Sequence, residues 1–245
     1  MIDLSGITTN GKALFLAYDQ GMEHGPADFD GENIDPSYIL KIGVEGGFNA
    51  IIFQKGVAEK YQTSMPLIIK LNGKTSLVEG QDPYSPLLCS VSEAISLGAL
   101  GVGYTIYVGS EFESKMTSEF AQVVREAHEK NIPAIGWMYL KGRSIEGKDQ
   151  KELTAYAARM GLELGADIIK IKYPGDLESL KHAVVSAGKT KVVVSGGAKE
   201  DESEFLEMAK IVMQSGAIGM AVGRNIWQNK EPLEITRKLK EIIFQ

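Results

Sequence analysis

Two lysines, Lys170 and Lys172, close a short apolar run, Asp167–Tyr173, and the turn Pro174-Gly175-Asp176 follows them. At positions i and i+2 of a strand they share one face. A lysine ammonium is costly to bury. Either the pair reaches solvent, or one amine sits in a cleft with its pKa pushed down and becomes a nucleophile. A neutral amine adds to a ketone, and the iminium ion that follows is an electron sink for carbon–carbon cleavage. That chemistry needs a value several units below the ordinary one of about 10.4. Burial and a neighbouring cation both push that way, and Lys172 is placed to be that cation for Lys170. Strand periodicity alone permits either lysine as the nucleophile.

Two glycine turns supply the second chemical signal. Ser195-Gly196-Gly197 and Gly223-Arg224-Asn225 each follow an apolar run. Glycines let backbone N–H groups approach an anion, and a helix start beyond them adds favourable partial charge. Arg224 can close such a nest with paired hydrogen bonds to phosphate oxygens. Other residues at run ends could complete a carbonyl site. Tyr139 carries a phenol able to relay a proton, Asp19 could orient a hydroxyl or share in proton transfer, and Trp137 would wall out water. Lys55 and Lys70 read as surface-reaching or structural lysines. His24 reads as a partner of a loop carbonyl, His128 and His182 as solvent-face residues of helices, and Cys89 as inert packing.

The elements that must hold these residues alternate along the chain. Strands are expected at 13–18, 50–53, 67–71, 101–107, 134–139, 167–173, 191–195 and 218–222, mostly continuous apolar runs of the kind buried on both faces. Helical spacing of apolar residues marks 118–130, 149–165, 202–216 and 232–244, and 73–86 reads as a long loop. No linker or charge block divides residues 1–245. The first strand leads into Asp19-Gln20-Gly21-Met22 rather than the Gly-x-Gly-x-x-Gly turn of a dinucleotide-binding sheet. The expectation is an α/β protein with a single (β/α)8 TIM-barrel domain, its site at the C-terminal ends of the strands and its anion site after strands seven and eight.

Composition narrows the function. A net charge of −6 offers no basic field for nucleic acid. No apolar run approaches the roughly 20 residues that span a bilayer, and the first residues lack the regions of a signal peptide. The single Cys89 cannot form an internal disulfide, which fits a reducing cytoplasm. Three scattered histidines and one cysteine do not make a transition-metal site, so neither metal nor cofactor is expected.

The segments Ala17-Tyr18-Asp19-Gln20-Gly21-Met22-Glu23-His24-Gly25-Pro26, Gly136-Trp137-Met138-Tyr139, Ile169-Lys170-Ile171-Lys172-Tyr173-Pro174-Gly175-Asp176, Ser195-Gly196-Gly197 and Gly223-Arg224 follow one another in this order. Together they resemble the archaeal-type class I fructose-1,6-bisphosphate aldolases, along essentially the whole chain. The resemblance implies a metal-independent barrel, commonly a homo-oligomer, that reversibly splits fructose 1,6-bisphosphate into dihydroxyacetone phosphate and glyceraldehyde 3-phosphate. It implies Lys170 as the Schiff-base lysine and Tyr139 as the proton donor, with Trp137 and Asp19 as their partners. It also places Gln20, His24 and Asp28 in the loop that meets substrate, and Ser195, Gly196, Gly197, Gly223 and Arg224 in the phosphate cradle. Gln20 stands where some relatives carry histidine. The rival readings are a transaldolase-like synthase or an acyl-transferring relative acting on another sugar phosphate, and a barrel that only binds a phosphosugar.

Overall fold

Eight parallel strands close into a barrel in chain order: β1 (Ala13–Ala17), β2 (Ala50–Gln54), β3 (Leu67–Lys70), β4 (Ala99–Val108), β5 (Ala134–Leu140), β6 (Ile168–Ile171), β7 (Lys191–Ser195) and β8 (Gly219–Val222), with β8 pairing back onto β1. The structure is a computed structural model and describes residues 2–245; Met1, where the expected domain span begins, lies outside them. Helices Pro36–Gly46, Lys55–Lys60, Val91–Ser96, Glu113–Glu129, Gln150–Glu163, Leu177–Ser186, Glu202–Gln214 and Pro232–Ile243 join the strands and follow the last. Asp35, Ser90, Asp149, Asp176 and Asp201 each cap a helix start by accepting a backbone N–H. Among the described residues no helix is long and apolar enough to cross a membrane.

All eight expected strands are present. The sixth is shorter than expected and ends at Ile171, because pairing with β7 stops there and Pro174 cannot continue a ladder. The helix expected from 118 begins at Glu113; its polar first turn hid the fully buried Met116. His128, expected on a solvent face, is half-buried and bonds the Asp167 carboxylate at 2.9 Å.

Alternate strand residues turn into the barrel, where Phe15, Ile52, Ile68, Ile135, Ile168 and Val193 form an apolar plug. The residues between them, such as Leu14, Ile51, Ile69, Met138, Ile169 and Val194, pack under the helices. Each fully buried Phe, Ile or Val of the plug contributes about 1.5–3 kcal/mol. That offsets the several kcal/mol that each buried ion at the mouth costs. Following the inward parity to the strand ends leads from Ala17 to Asp19, from Ile68 to Lys70, and from Ile135 through Trp137 to Tyr139. The same parity leads from Ile168 through Lys170 to Lys172, and from Val193 to Ser195. The barrel's C-terminal mouth is therefore polar because every strand spends its last inward position on a polar group or a glycine.

One glycine is dictated by the closure itself. Gly219 has φ +149°, and a Cβ there would meet the Ala13 carbonyl oxygen at 1.8 Å, across the β8–β1 seam. Only glycine fits so close an approach.

Candidate active site

The mouth holds a cavity of about 290 Å³, lined by residues from the ends of the strands. Asp19, Gln20, His24, Trp137, Tyr139, Lys170, Ser195, Gly196, Gly197, Gly223 and Arg224, all expected from sequence, line it together with Glu23, Lys70, Tyr107, Lys141 and Lys172. Asp28 stands behind this wall. It accepts from His24 Nδ1 at 2.6 Å and faces Arg224 Nη1 at 3.5 Å, while its backbone carbonyl accepts from Gln228. His24 thus bonds a carboxylate rather than the loop carbonyl expected of it.

Lys170 sits on the floor, 5 % exposed, its Nζ 5.1 Å from the centre of the Trp137 ring on the neighbouring strand. Burial lowers its pKa to about 8; Asp19 opposes the fall and Lys70 adds to it. The shift matters quantitatively. At pH 7 a lysine of ordinary value is neutral in about one molecule in 3,000, whereas a value near 8 leaves about one in ten neutral. The cation that bears on Lys170 is therefore Lys70, from β3, and not Lys172 as expected. Lys172 lies past the end of β6, its Nζ 5.6 Å over the Tyr139 ring.

Of the two readings given for Lys70, surface-reaching or structural, the first does not hold. The residue is 4 % exposed, with Nζ 3.4 Å from Asp19 Oδ2. Burial works to raise the Asp19 pKa, yet Lys70 and then Lys170 hold the carboxyl below its ordinary range. Lys55 fulfils the plain reading, pairing with Glu93 at 2.6 Å outside the cavity. Tyr139 is the opposite of a phenolate. Burial, with Asp19 and Glu23 adding to it, holds its pKa well above the ordinary value, although Ser195 and Arg224 work the other way. It remains a proton donor at any physiological pH.

The far wall was not foreseen as a unit. Tyr107, at the inward parity of β4 and in register beside Tyr139, donates its hydroxyl to Glu23 Oε1 at 2.8 Å. Lys141 and Lys74 approach the same oxygen at 3.5 and 3.7 Å. Opposite stand the two glycine turns. Arg224 donates to the Gly197 carbonyl at 3.0 Å, and Asn225 bonds the carbonyls of Gly196 and Ala198, so one short segment after β8 shapes the loop after β7. The Gly196 N–H is spent on the Ala221 carbonyl and so is not free to face the cavity. A larger depression, about 720 Å³, lies at the other end of the barrel between Glu45–Gly47 and the last helix. Its cations are already engaged: Arg237 with Glu234 and Glu241, Lys240 with the Gly46 carbonyl.

Gly103 makes room for the floor of the site. A Cβ there would fall 1.9 Å from Cζ3 of Trp137. Gly103→Ala is expected to push the indole off its seat beside Lys170, costing about 1–3 kcal/mol by overpacking. Thermal unfolding should show Tm lower by roughly 5 °C, and an unchanged Tm would show that the ring has slack.

Comparison with known proteins agrees with this geometry. The sequence model of the DeoC/LacD family aldolase matches residues 13–229, from the first strand to just past the last. The chain is 49% identical over 238 residues to a class 1 fructose-bisphosphate aldolase of Thermoproteus tenax, covering 96% of this chain and 90% of that protein. It is 40% identical over 247 residues to the same class of enzyme from Halobacterium salinarum strain R1, covering 98% and 94%. Among solved structures, an archaeal fructose-1,6-bisphosphate aldolase with its catalytic lysine covalently bound to the carbinolamine intermediate superposes with a TM-score of 0.95, at 47% identity over 99% of this chain and 98% of that one. A closed barrel with a buried amine at its mouth, matched along nearly its whole length, belongs to the DeoC/LacD aldolase family.

Proposed function

We propose that this chain is a Schiff-base fructose-1,6-bisphosphate aldolase, cleaving its substrate reversibly to dihydroxyacetone phosphate and glyceraldehyde 3-phosphate. The observation that carries the reading is Lys170: a buried amine with a pKa near 8, between a carboxylate and an aromatic floor, facing two glycine turns. Its Nζ adds to the C2 carbonyl to give a carbinolamine, which loses water to become an iminium ion. Asp19 takes the proton of the C4 hydroxyl as the C3–C4 bond breaks, and that proton later restores the Tyr139 hydroxyl, so none is gained or lost over the cycle. The bond's electron pair flows toward the iminium nitrogen, the aldehyde leaves, and an enamine remains. Tyr139, kept protonated by burial, gives C3 its proton. Hydrolysis then frees the ketone and the amine. Asp19, held ionised, accepts from a substrate hydroxyl and orients it.

The C1 phosphate rests in the turns of Ser195, Gly196, Gly197, Gly223 and Arg224, with Gln20 and His24 closing over it and Asp28 steadying His24 and Arg224. Anchoring the phosphate turns the carbonyl addition into an oriented, effectively intramolecular event. On the opposite wall Lys141, which lines the cavity, is left for the other end of the sugar. Assembly as a homo-oligomer in the cytoplasm belongs to the same reading.

A charge-assisted phosphate contact contributes about 1.5–3 kcal/mol. Arg224→Ala is therefore expected to raise KM for fructose 1,6-bisphosphate by roughly 10- to 150-fold and to change kcat much less. Steady-state kinetics check this, and a KM equal to the wild type's removes Arg224 from the cradle. The function itself is tested by borohydride reduction in the presence of dihydroxyacetone phosphate with mass mapping of the adduct. Failure to find it on the Lys170 peptide overturns the reading.

A further inference from the structure

Three fully buried ionisable side chains meet at the mouth: Asp19 beyond β1, Lys70 on β3 and Lys170 on β6, each about 5 % exposed. One carboxylate is shared between two amines, and the nucleophile is only useful if it is not the one that claims it. The geometry decides the allocation, since Lys70 Nζ stands 3.4 Å from Asp19 Oδ2 while Lys170 Nζ lies against the Trp137 ring.

We propose that Lys70 is a positioning residue of the aldol site: it occupies Asp19 as its ion-pair partner, and so keeps that carboxylate from holding Lys170 as an ammonium. The proposal deepens the Schiff-base reading and rests on it. Lys70 reaches the mouth on the inward parity from Ile68, beside Gln54 of β2 and Gly103 of β4 in register. It has no exposed route by which an ordinary structural lysine would return its charge to water. The electrostatic direction agrees, because Lys70 is the cation that adds to the lowering of the Lys170 pKa and the first that holds Asp19 ionised.

The other groups around Lys170 do not substitute for it. Tyr139 on β5 is a phenol, and Lys172, beyond Lys170 on the same strand, leans over that phenol. From β4 Tyr107 is engaged with Glu23, which Lys141 and Lys74 also approach. His24 and Arg224 are engaged with Asp28.

The test is the pH dependence of borohydride trapping of dihydroxyacetone phosphate on Lys170. In the wild type the trapping rate should rise with pH and level off above about 8, where the amine is neutral. Lys70→Gln keeps donors for Asp19 but no charge. It is expected to move that limb up by about one unit or more, so that trapping at pH 7 falls roughly tenfold and recovers above pH 10. Lys70→Arg, which keeps the charge, should leave the limb where the wild type has it. A limb that stays put in Lys70→Gln, or a loss equal at every pH, overturns the proposal. Should that variant fail to fold, Asp19→Asn combined with Lys70→Met removes both ions together. Its limb must then lie at or below the wild-type position, since no carboxylate remains to hold Lys170, and a limb moved up overturns the proposal. Absence of any wild-type adduct on Lys170 would instead remove the aldolase reading, and the two failures are distinct.

Discussion

Lys170→Met should fold, bind phosphosugar and cleave none of it. Without the amine there is no iminium and hence no electron sink for the C3–C4 bond, so kcat for fructose 1,6-bisphosphate is expected to fall by about 10⁴-fold or more. Borohydride with dihydroxyacetone phosphate should leave no adduct on the protein. Lys172→Met is the matched control and should still be labelled at Lys170. An adduct that survives in Lys170→Met and vanishes in Lys172→Met would reverse the assignment of the nucleophile.

The same substitution has a consequence for stability. The Lys170 pKa falls from 10.5 in the unfolded chain to about 8 in the fold. Between those values the unfolded chain binds more protons, so stability rises with pH through that window; below about 8 the penalty is fully present. It amounts to about 3 kcal/mol. Methionine fills a similar volume and carries no such penalty, while Asp19 keeps Lys70 as its partner. The inactive variant should therefore melt several degrees above the wild type at pH 7, with the gap closing as pH approaches 10. A lower Tm at pH 7 would mean that Lys170 contributes to the fold through contacts other than its charge. This combination, lost catalysis with gained stability, separates a strained catalytic amine from a structural one.

What the sequence disclosed and what it hid follow from one property of the barrel. Strands covered on both faces read as unbroken apolar runs, so their positions are legible but the face of each residue is not. The eight strands, the order of the site segments and the glycine turns were all visible on this basis. Lys170 and Tyr139 could be placed at the mouth because each ends a run and belongs to a segment of recognisable sequence. Lys70 also ends a run, but a lysine at a strand end is usually solvated, and only the register with Ile68 pointing inward shows that it is buried. Tyr107 was hidden in the same way. It lies inside the ten-residue β4, where an aromatic reads as core, and its hydroxyl meets Glu23 only because the barrel brings residues 84 positions apart together. Lys172 shares the inward face as its spacing says, but its amine lies over the Tyr139 ring, and the cation beside Lys170 is Lys70 from β3, a neighbour that spacing along one strand cannot show.

Tyr139→Phe tests the proton step separately from the amine. Removing the hydroxyl leaves the ring, so the packing under Lys172 and beside Trp137 should persist, and Tm should change little. On the proposed reading, the phenol serves by staying protonated in a pocket where an ordinary acid would be ionised; burial, with Asp19 and Glu23 near it, holds its pKa up. General acid catalysis of this kind is worth about 10²–10⁴-fold, so kcat should drop by that factor with KM within about threefold of the wild type. Trapping of dihydroxyacetone phosphate on Lys170 should survive, because imine formation does not need the C3 proton. Exchange of the C3 hydrogen with deuterated water, followed by NMR, should nearly stop, since that exchange is the enamine protonation run in both directions. If exchange continues at the wild-type rate, the relay lies elsewhere, and Tyr107, in register beside Tyr139 and bonded to Glu23, is the next phenol to remove. Loss of trapping together with exchange would place Tyr139 earlier, at the dehydration of the carbinolamine, where its proton would leave with the C2 oxygen as water.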